Sequence, residues 1–273
     1  MRILLAGYYG FGNLGDEMLA VVARDLLRPR HQVTILRARR RFLPLLRRAD
    51  CLFFAGGSLF QDATGRGLSV WYYALLALTA KLWGKKLFLV AQGLGPFRRL
   101  SSRWLTSFVF RCADFVSLRD TESAGLIGLR QYQLTTDLLF NLQLKVKPQR
   151  RREIVVNFTR PILPEYQPLY FAMQPRVDYG RRYAWAVLAG ARLAVGRRLH
   201  FIILALLLGV PVVAINYDPK VESLCRRLQI PCVPADRLDL LPRVLTQARR
   251  INIAAERRLA KRSWQAVQEA LYG

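Results

Sequence analysis

The densest group of reactive side chains lies in Gly196-Arg197-Arg198-Leu199-His200, where two guanidinium groups and an imidazole meet the start of an apolar run, Phe201 to Leu208. An arginine clamps phosphate or carboxylate with paired N–H donors, and an imidazole can deliver a proton near neutral pH. Residues two apart on a helix do not share a face. At a helix start, however, Arg198 and His200 can both point at one anion. On chemistry alone His200 reads equally well as a capping or solvated histidine. His31 follows Pro29 and Arg30 in a basic loop and reads as solvated.

Three glycine-containing loops each follow an apolar run. Gly10, Gly12 and Gly15 form GxGxxG after Arg2 to Ala6 and before a helix from Asp16 to Leu27, an order that lets backbone amides approach a pyrophosphate. A nicotinamide dinucleotide site wants an acid about 20 residues further on. The strand there ends in Leu36, Arg37, Ala38 and Arg39, so Arg37 would instead meet a 2′-phosphate. Asp16 and Glu17 stand where phosphates would approach, and Asp16 suits the N-cap, so a tight turn closed by a capped helix competes with a phosphate cradle.

The second loop, Gly56-Gly57-Ser58-Leu59-Phe60-Gln61-Asp62, also follows a strand and so reaches the carboxyl edge of the sheet, where open α/β folds bind ligands. Asp62 there can orient or deprotonate a hydroxyl, or cap a helix. The third loop is Gln92-Gly93-Leu94-Gly95-Pro96, whose glycines admit a ligand or backbone at close range, as in a plain turn.

These loops need a sheet to position them. Strand patterns occur at Arg2 to Ala6, Gln32 to Leu36, Ala49 to Phe54, Lys86 to Gln92 and Phe115 to Leu118. Helix-length segments, Ser69 to Trp83 and Ser101 to Cys112, lie between them, which predicts a parallel, doubly wound sheet. The polar stretch Lys145 to Arg152 reads as a linker. Beyond it come a strand, Glu153 to Asn157, the Pro-rich segment Pro161 to Pro175, a helix, Arg198 to Leu208, a strand, Val210 to Asn216, and a helix, Val221 to Leu228. Ile253, Leu259, Trp264, Val267 and Leu271 repeat at helical spacing. The expected domains are residues 1–147, residues 148–251, and a terminal helix, 252–273, packing back on the first.

The bulk numbers bound the partners. A chain of 273 residues with 52% hydrophobic content can bury a sizeable core. Its 43 Lys and Arg against 18 Asp and Glu give a formal charge of +25, which suits phosphate, nucleic acid or anionic lipid, or simply a solvated face. Cys51, Cys112, Cys225 and Cys232 lack CxxC spacing, so a reducing cytoplasm is the simplest setting. No signal-peptide pattern opens the chain, and Val70 to Ala80 and Phe201 to Leu208 are shorter than the roughly 18 apolar residues of a spanning helix. The expectation is a cytoplasmic protein whose basic face can rest on the inner surface of the plasma membrane.

Together the segments Gly7 to Glu17, Gly56 to Asp62, Ala91 to Pro96, Ser117-Leu118-Arg119-Asp120 with Ser123, Thr136-Asp137, Gln174-Pro175 with Asp178, Arg198-Leu199-His200, Gly209 to Val213 and Tyr217-Asp218-Pro219-Lys220 resemble the polysaccharide pyruvyl transferase family, in the bacterial branch that acts on cell-wall polysaccharide. The resemblance implies two Rossmann-like domains facing a cleft, similar to GT-B glycosyltransferases. The second is shortened here, because only Tyr179 to Val195 separates Asp178 from Gly196. It implies phosphoenolpyruvate as donor and a saccharide or lipid-linked saccharide as acceptor, with no cofactor, metal or nucleic acid. It carries catalytic roles onto His200, Asp62 and Arg198. Substrate contacts are expected from Arg160 and Arg198 and from the loop residues Gly12, Asn13, Gly56, Gly57, Ser58, Gln92 and Gly93.

Two other readings are distinguishable. A GT-B glycosyltransferase using a nucleotide sugar would place an acid such as Asp218 on the ribose. A non-catalytic relative holding an anionic glycan or lipid through its arginines would bind with steep salt dependence and turn nothing over.

Overall fold

The computed structural model describes residues 1–38, 41–63, 68–144, 153–157 and 188–273. The chain forms two compact units, Met1–Asn141 with Glu256–Gly273, and Leu142–Ala255. The candidate linker 145–152, Arg160, Gln174, Pro175 and Asp178 lie outside the described residues.

The first unit is built on β1 (Arg2–Ala6), β2 (Gln32–Ile35), β3 (Cys51–Ala55), β4 (Lys86–Gln92), β5 (Phe115–Leu118) and β6 (Gln133–Leu134). They pair in the order β2-β1-β3-β4-β5-β6, and every pair is parallel. The helices are α1 (Leu14–Leu27), α2 (Phe42–Arg48), α3 (Leu68–Leu82), α4 (Leu100–Arg111) and α5 (Thr121–Ile127). The chain leaves β1 toward β2 in one direction and thereafter winds the other way. Right-handed crossovers therefore put α1 on one face and α2 to α5 on the other. The core on the second face joins Leu4, Leu52, Phe54, Leu87 and Leu89 of the sheet to Leu46, Tyr73, Ala77, Phe110 and Ile127 of those helices. With both faces covered, the central strand Cys-Leu-Phe-Phe-Ala is buried at every position, as a parallel strand between two helical layers must be.

The second unit carries β7 (Glu153–Asn157), β8 (Ala191–Gly196), β9 (Val212–Asn216) and β10 (Cys232–Pro234), parallel and in simple sequence order. Helix α6 (Leu199–Leu207) links β8 to β9, and α7 (Pro219–Leu228) links β9 to β10. One face of this sheet, with Val195, Val213, Ile215 and Val233, packs on Leu241 of α8 (Leu241–Leu245) and on its neighbours Leu238 and Leu240.

The last helix, α9 (Ala254–Tyr272), returns to the first unit. Its Trp264 ring lies 6.3 Å from that of Phe53 on β3, and Thr136 donates to the buried Glu256. His31, expected to be solvated, is half-buried and stacks on Tyr272 at 5.6 Å between centroids, and burial lowers its pKa. Two segments not foreseen as regular, α2 and α5, are helices of seven residues each.

Candidate functional site

The order of the first sheet creates a topological switch point between β1 and β3, the place where open α/β sheets receive ligands. The loops that flank it are Gly7 to Asn13 and Gly56 to Asp62, which include the candidates Gly12, Asn13, Gly56, Gly57, Ser58 and Asp62. Helix α1 starts earlier than expected. Asn13, not Asp16, is the N-cap, its Oδ1 accepting from the Gly15 amide at 3.2 Å, because an Asx side chain in extended backbone reaches an amide two residues on. Asp16 then lies inside the first turn, where it accepts from the Asn13 side chain, and Glu17 accepts from the Gly10 amide. Both carboxylates complement the positive end of the helix. The GxGxxG loop is thus a turn closed by its own acids, and an amide that a pyrophosphate would use is already occupied.

Asp62 is buried, and its two carboxylate oxygens accept from the amides of Arg98 and Arg99, the latter at 2.9 Å. Arg99 is the N-cap residue of α4 and makes no side-chain cap bond of its own. Asp62 therefore caps α4 from a loop after a different strand. Burial pushes its carboxyl up, but the amide donors and the nearby arginine outweigh burial and hold it below the usual carboxylate range. Such a carboxylate is a weaker base than an ordinary aspartate.

Beneath these loops lies a polar layer centred on Arg119, at the carboxyl end of β5. Its Nη1 donates to Asp137 Oδ2 at 2.6 Å, and its Nη2 donates to Gly57 O at 3.3 Å and Ser58 Oγ at 3.2 Å. Both members of the ion pair are almost wholly buried, with side chains 7% and 3% exposed. Gly93 crosses directly over this guanidinium, and a Cβ there would come within 2.3 Å of Arg119 Nη2, so a side chain at 93 would push the guanidinium off its partners. Gln92 is fully buried. Its Nε2 donates to Phe54 O, Gly56 O and Val90 O at 3.0 to 3.3 Å, which supports the loop from below. Arg119 and Asp137 stand in segments whose roles the sequence left open; the signal for Arg119 was a charge at the end of an apolar strand, at the ligand-binding edge.

In the second unit the start of α6, at the carboxyl end of β8, carries cationic side chains. Arg198 is the N-cap residue of α6, without a side-chain cap bond, and the first turn contains no acid. His200 sits in that turn, half-buried. The helix lies close on its strand because residue 196 is glycine: a Cβ there would meet Phe201 Cδ1 at 2.3 Å. Arg197, whose amide donates to Asn157 O at 3.2 Å, stacks over the ring of Tyr217 with Cζ 4.3 Å from the centroid. Burial and Asp218 push the Tyr217 phenol up, against opposing effects of Arg198 and Arg197. The structure thus gathers Arg197, Arg198, His200 and Tyr217 at the ends of β8 and β9. The sequence singled out Arg198 and His200 and missed the arginine–tyrosine stack. Asp218, the acid that a nucleotide-sugar site would use, caps α7, accepting from the Lys220 amide at 3.0 Å. Among the described residues, no helix is long and apolar enough to cross a membrane.

A model of the polysaccharide pyruvyl transferase family matches residues 13–219, more than half of the chain. No curated protein matches the chain significantly. Among solved structures, a functionally uncharacterized protein of Klebsiella pneumoniae is similar over 86% of this chain and 93% of its own, at 19% identity and a TM-score of 0.56, a likeness of fold. The matched span begins at the N-cap of α1 and ends at the start of α7, so it takes in the Gly56 loop and the start of α6, and the chain belongs to the polysaccharide pyruvyl transferase family.

Proposed function

We propose that the protein transfers the pyruvyl group of phosphoenolpyruvate to a saccharide of a cell-envelope polysaccharide, or to its lipid-linked precursor, as a ketal. One observation carries this reading within the family: α6 opens on Arg197, Arg198 and His200 with no acid in its first turn. Arginine and histidine side chains beside the positive end of a helix dipole together attract an anion. Phosphoenolpyruvate presents a phosphate and a carboxylate on one carbon.

His200 delivers a proton to C3, which leaves C2 as an oxocarbenium-like centre. One sugar hydroxyl adds to C2 and gives up its proton. The C2–O bond to phosphate then breaks, the electron pair leaving with phosphate, and a second hydroxyl adds to close the ketal. Of the two hydroxyl protons, one replaces that spent on C3 and one leaves with phosphate. Arg198 holds the anionic groups while charge moves between them, joined by Arg160 of Asn157-Phe158-Thr159-Arg160-Pro161. Asp62 keeps the Gly56 loop in shape through the Arg98 and Arg99 amides. No cofactor enters these steps.

The test is phosphate release from phosphoenolpyruvate with a panel of nitrophenyl and lipid-linked saccharides, run beside His200→Ala. Acceptor-dependent release that disappears in the variant is expected. Release that persists in it removes the assigned acid, and an absence of both release and phosphoenolpyruvate binding favours a non-catalytic relative.

A further inference from the structure

The outer sides of α3 and α4 carry large apolar side chains that the core leaves unused. Leu68, Trp71, Leu75 and Leu82 on α3 are 68%, 51%, 57% and 84% exposed, and Leu100, Trp104 and Phe108 on α4 are 75%, 78% and 55% exposed. Their spacing sets each group along one side of its helix. The two helices pack against each other over the same face of the six-stranded sheet, and both stripes are exposed there. Large apolar side chains grouped on an exposed face mark a place where something binds.

Charge indicates what binds. Neither helix contains an acidic residue. Exposed Arg103 and Arg111 interleave with Trp104 and Phe108, and exposed Arg98 and Arg99 stand at the entry to α4. An open groove of 230 Å³ runs along α4 between Leu100, Arg103, Trp104, Arg111 and Gly128. A second copy of the chain is a poor occupant. A two-fold interface sets a patch against itself, and this one would oppose arginines with no carboxylate from either helix to offset them.

We infer that the α3–α4 face seats on an anionic phospholipid surface, with Trp71 and Trp104 at headgroup depth and Arg98, Arg99, Arg103 and Arg111 on lipid phosphates. Amphipathic aromatic rings settle at that boundary, and basic side chains there bind anionic lipid. The inference needs no turnover and is independent of the transferase reading.

The experiment is co-sedimentation of the whole chain, at physiological salt, with vesicles of mixed phosphatidylglycerol and phosphatidylcholine and with vesicles of phosphatidylcholine alone. Sedimentation velocity gives the oligomeric state in parallel. Wild type is expected to bind the mixed vesicles and to lose most binding on phosphatidylcholine. Trp71→Ser/Leu75→Ser/Trp104→Ser keeps every charge and should weaken binding by at least roughly tenfold, and Arg103→Gln/Arg111→Gln by roughly fivefold per arginine, with unchanged circular dichroism. Unaltered binding in the triple variant overturns the inference, because the charge alone would then hold the protein. Failure of wild type to bind also overturns it, and a wild-type dimer that the triple variant dissociates without effect on vesicles assigns the face to a second copy.

Discussion

The starts of α1 and α6 hold equivalent places, each following a parallel strand at the carboxyl edge of its own sheet, and their chemistry is opposite. At α1 an Asn cap and two first-turn acids satisfy the helix end from within. At α6 the N-cap is Arg198, no acid follows in the first turn, and Arg197 and His200 flank it. The glycine-rich loop that looks most like a phosphate site is therefore closed in part by its own acids, whereas the proposed anion site opens α6 with arginine and histidine. The sign of the charges in the first helical turn distinguishes the two better than the glycines do.

The comparison breaks most visibly in turnover. Arg198→Ala and His200→Ala should each lower the rate of phosphoenolpyruvate-dependent phosphate release by about a thousandfold and leave thermal melting in place; near-normal rates in both would move the chemistry elsewhere. In the first unit the expected losses are of stability. Arg119→Ala leaves Asp137 buried without its 2.6 Å partner and should cost about 3–5 kcal/mol, read as a lower urea midpoint. A shift below about 1 kcal/mol would show that the polar layer holds nothing together.

Asp62→Asn replaces an acceptor of two amides and should cost about 1–3 kcal/mol. Because the carboxyl is held low in the fold, the native state binds fewer protons than the unfolded chain. This contribution is complete above about pH 4 and is lost as pH falls further, so the variant should show a shallower loss of stability in acid. A hundredfold drop in turnover with unchanged melting would instead assign Asp62 as the base that accepts the hydroxyl proton. Asn13→Ala is the mildest change, about 1 kcal/mol, with phosphoenolpyruvate affinity intact; a large loss of affinity would make the α1 start a ligand site.

What the sequence disclosed follows from how local each signal is. β1, β4 and β5 have the bounds that their apolar runs suggested, and the α6 start was recognisable because arginine and histidine precede a long apolar stretch. Helices α2 and α5 were hidden because they are short, one with Pro44 and the other with Gly125 inside it, and are held by packing on the sheet. In the site, Asp62 was visible as a loop carboxylate, but its amide partners at Arg98 and Arg99 belong to the loop after another strand. Arg119 with Asp137, and Arg197 with Tyr217, are pairs that exist only once separate strands lie side by side.

The return of α9 to the first sheet has a consequence for synthesis. Phe53 and its face of β3 are made early, yet Trp264, which covers the ring, leaves the ribosome only after the whole second unit. During translation the part of that face that α9 covers stays open while β7 to β10 are completed. A chain stalled before Ala254 would expose apolar surface on the first unit and would be the form most prone to aggregate or to recruit chaperones.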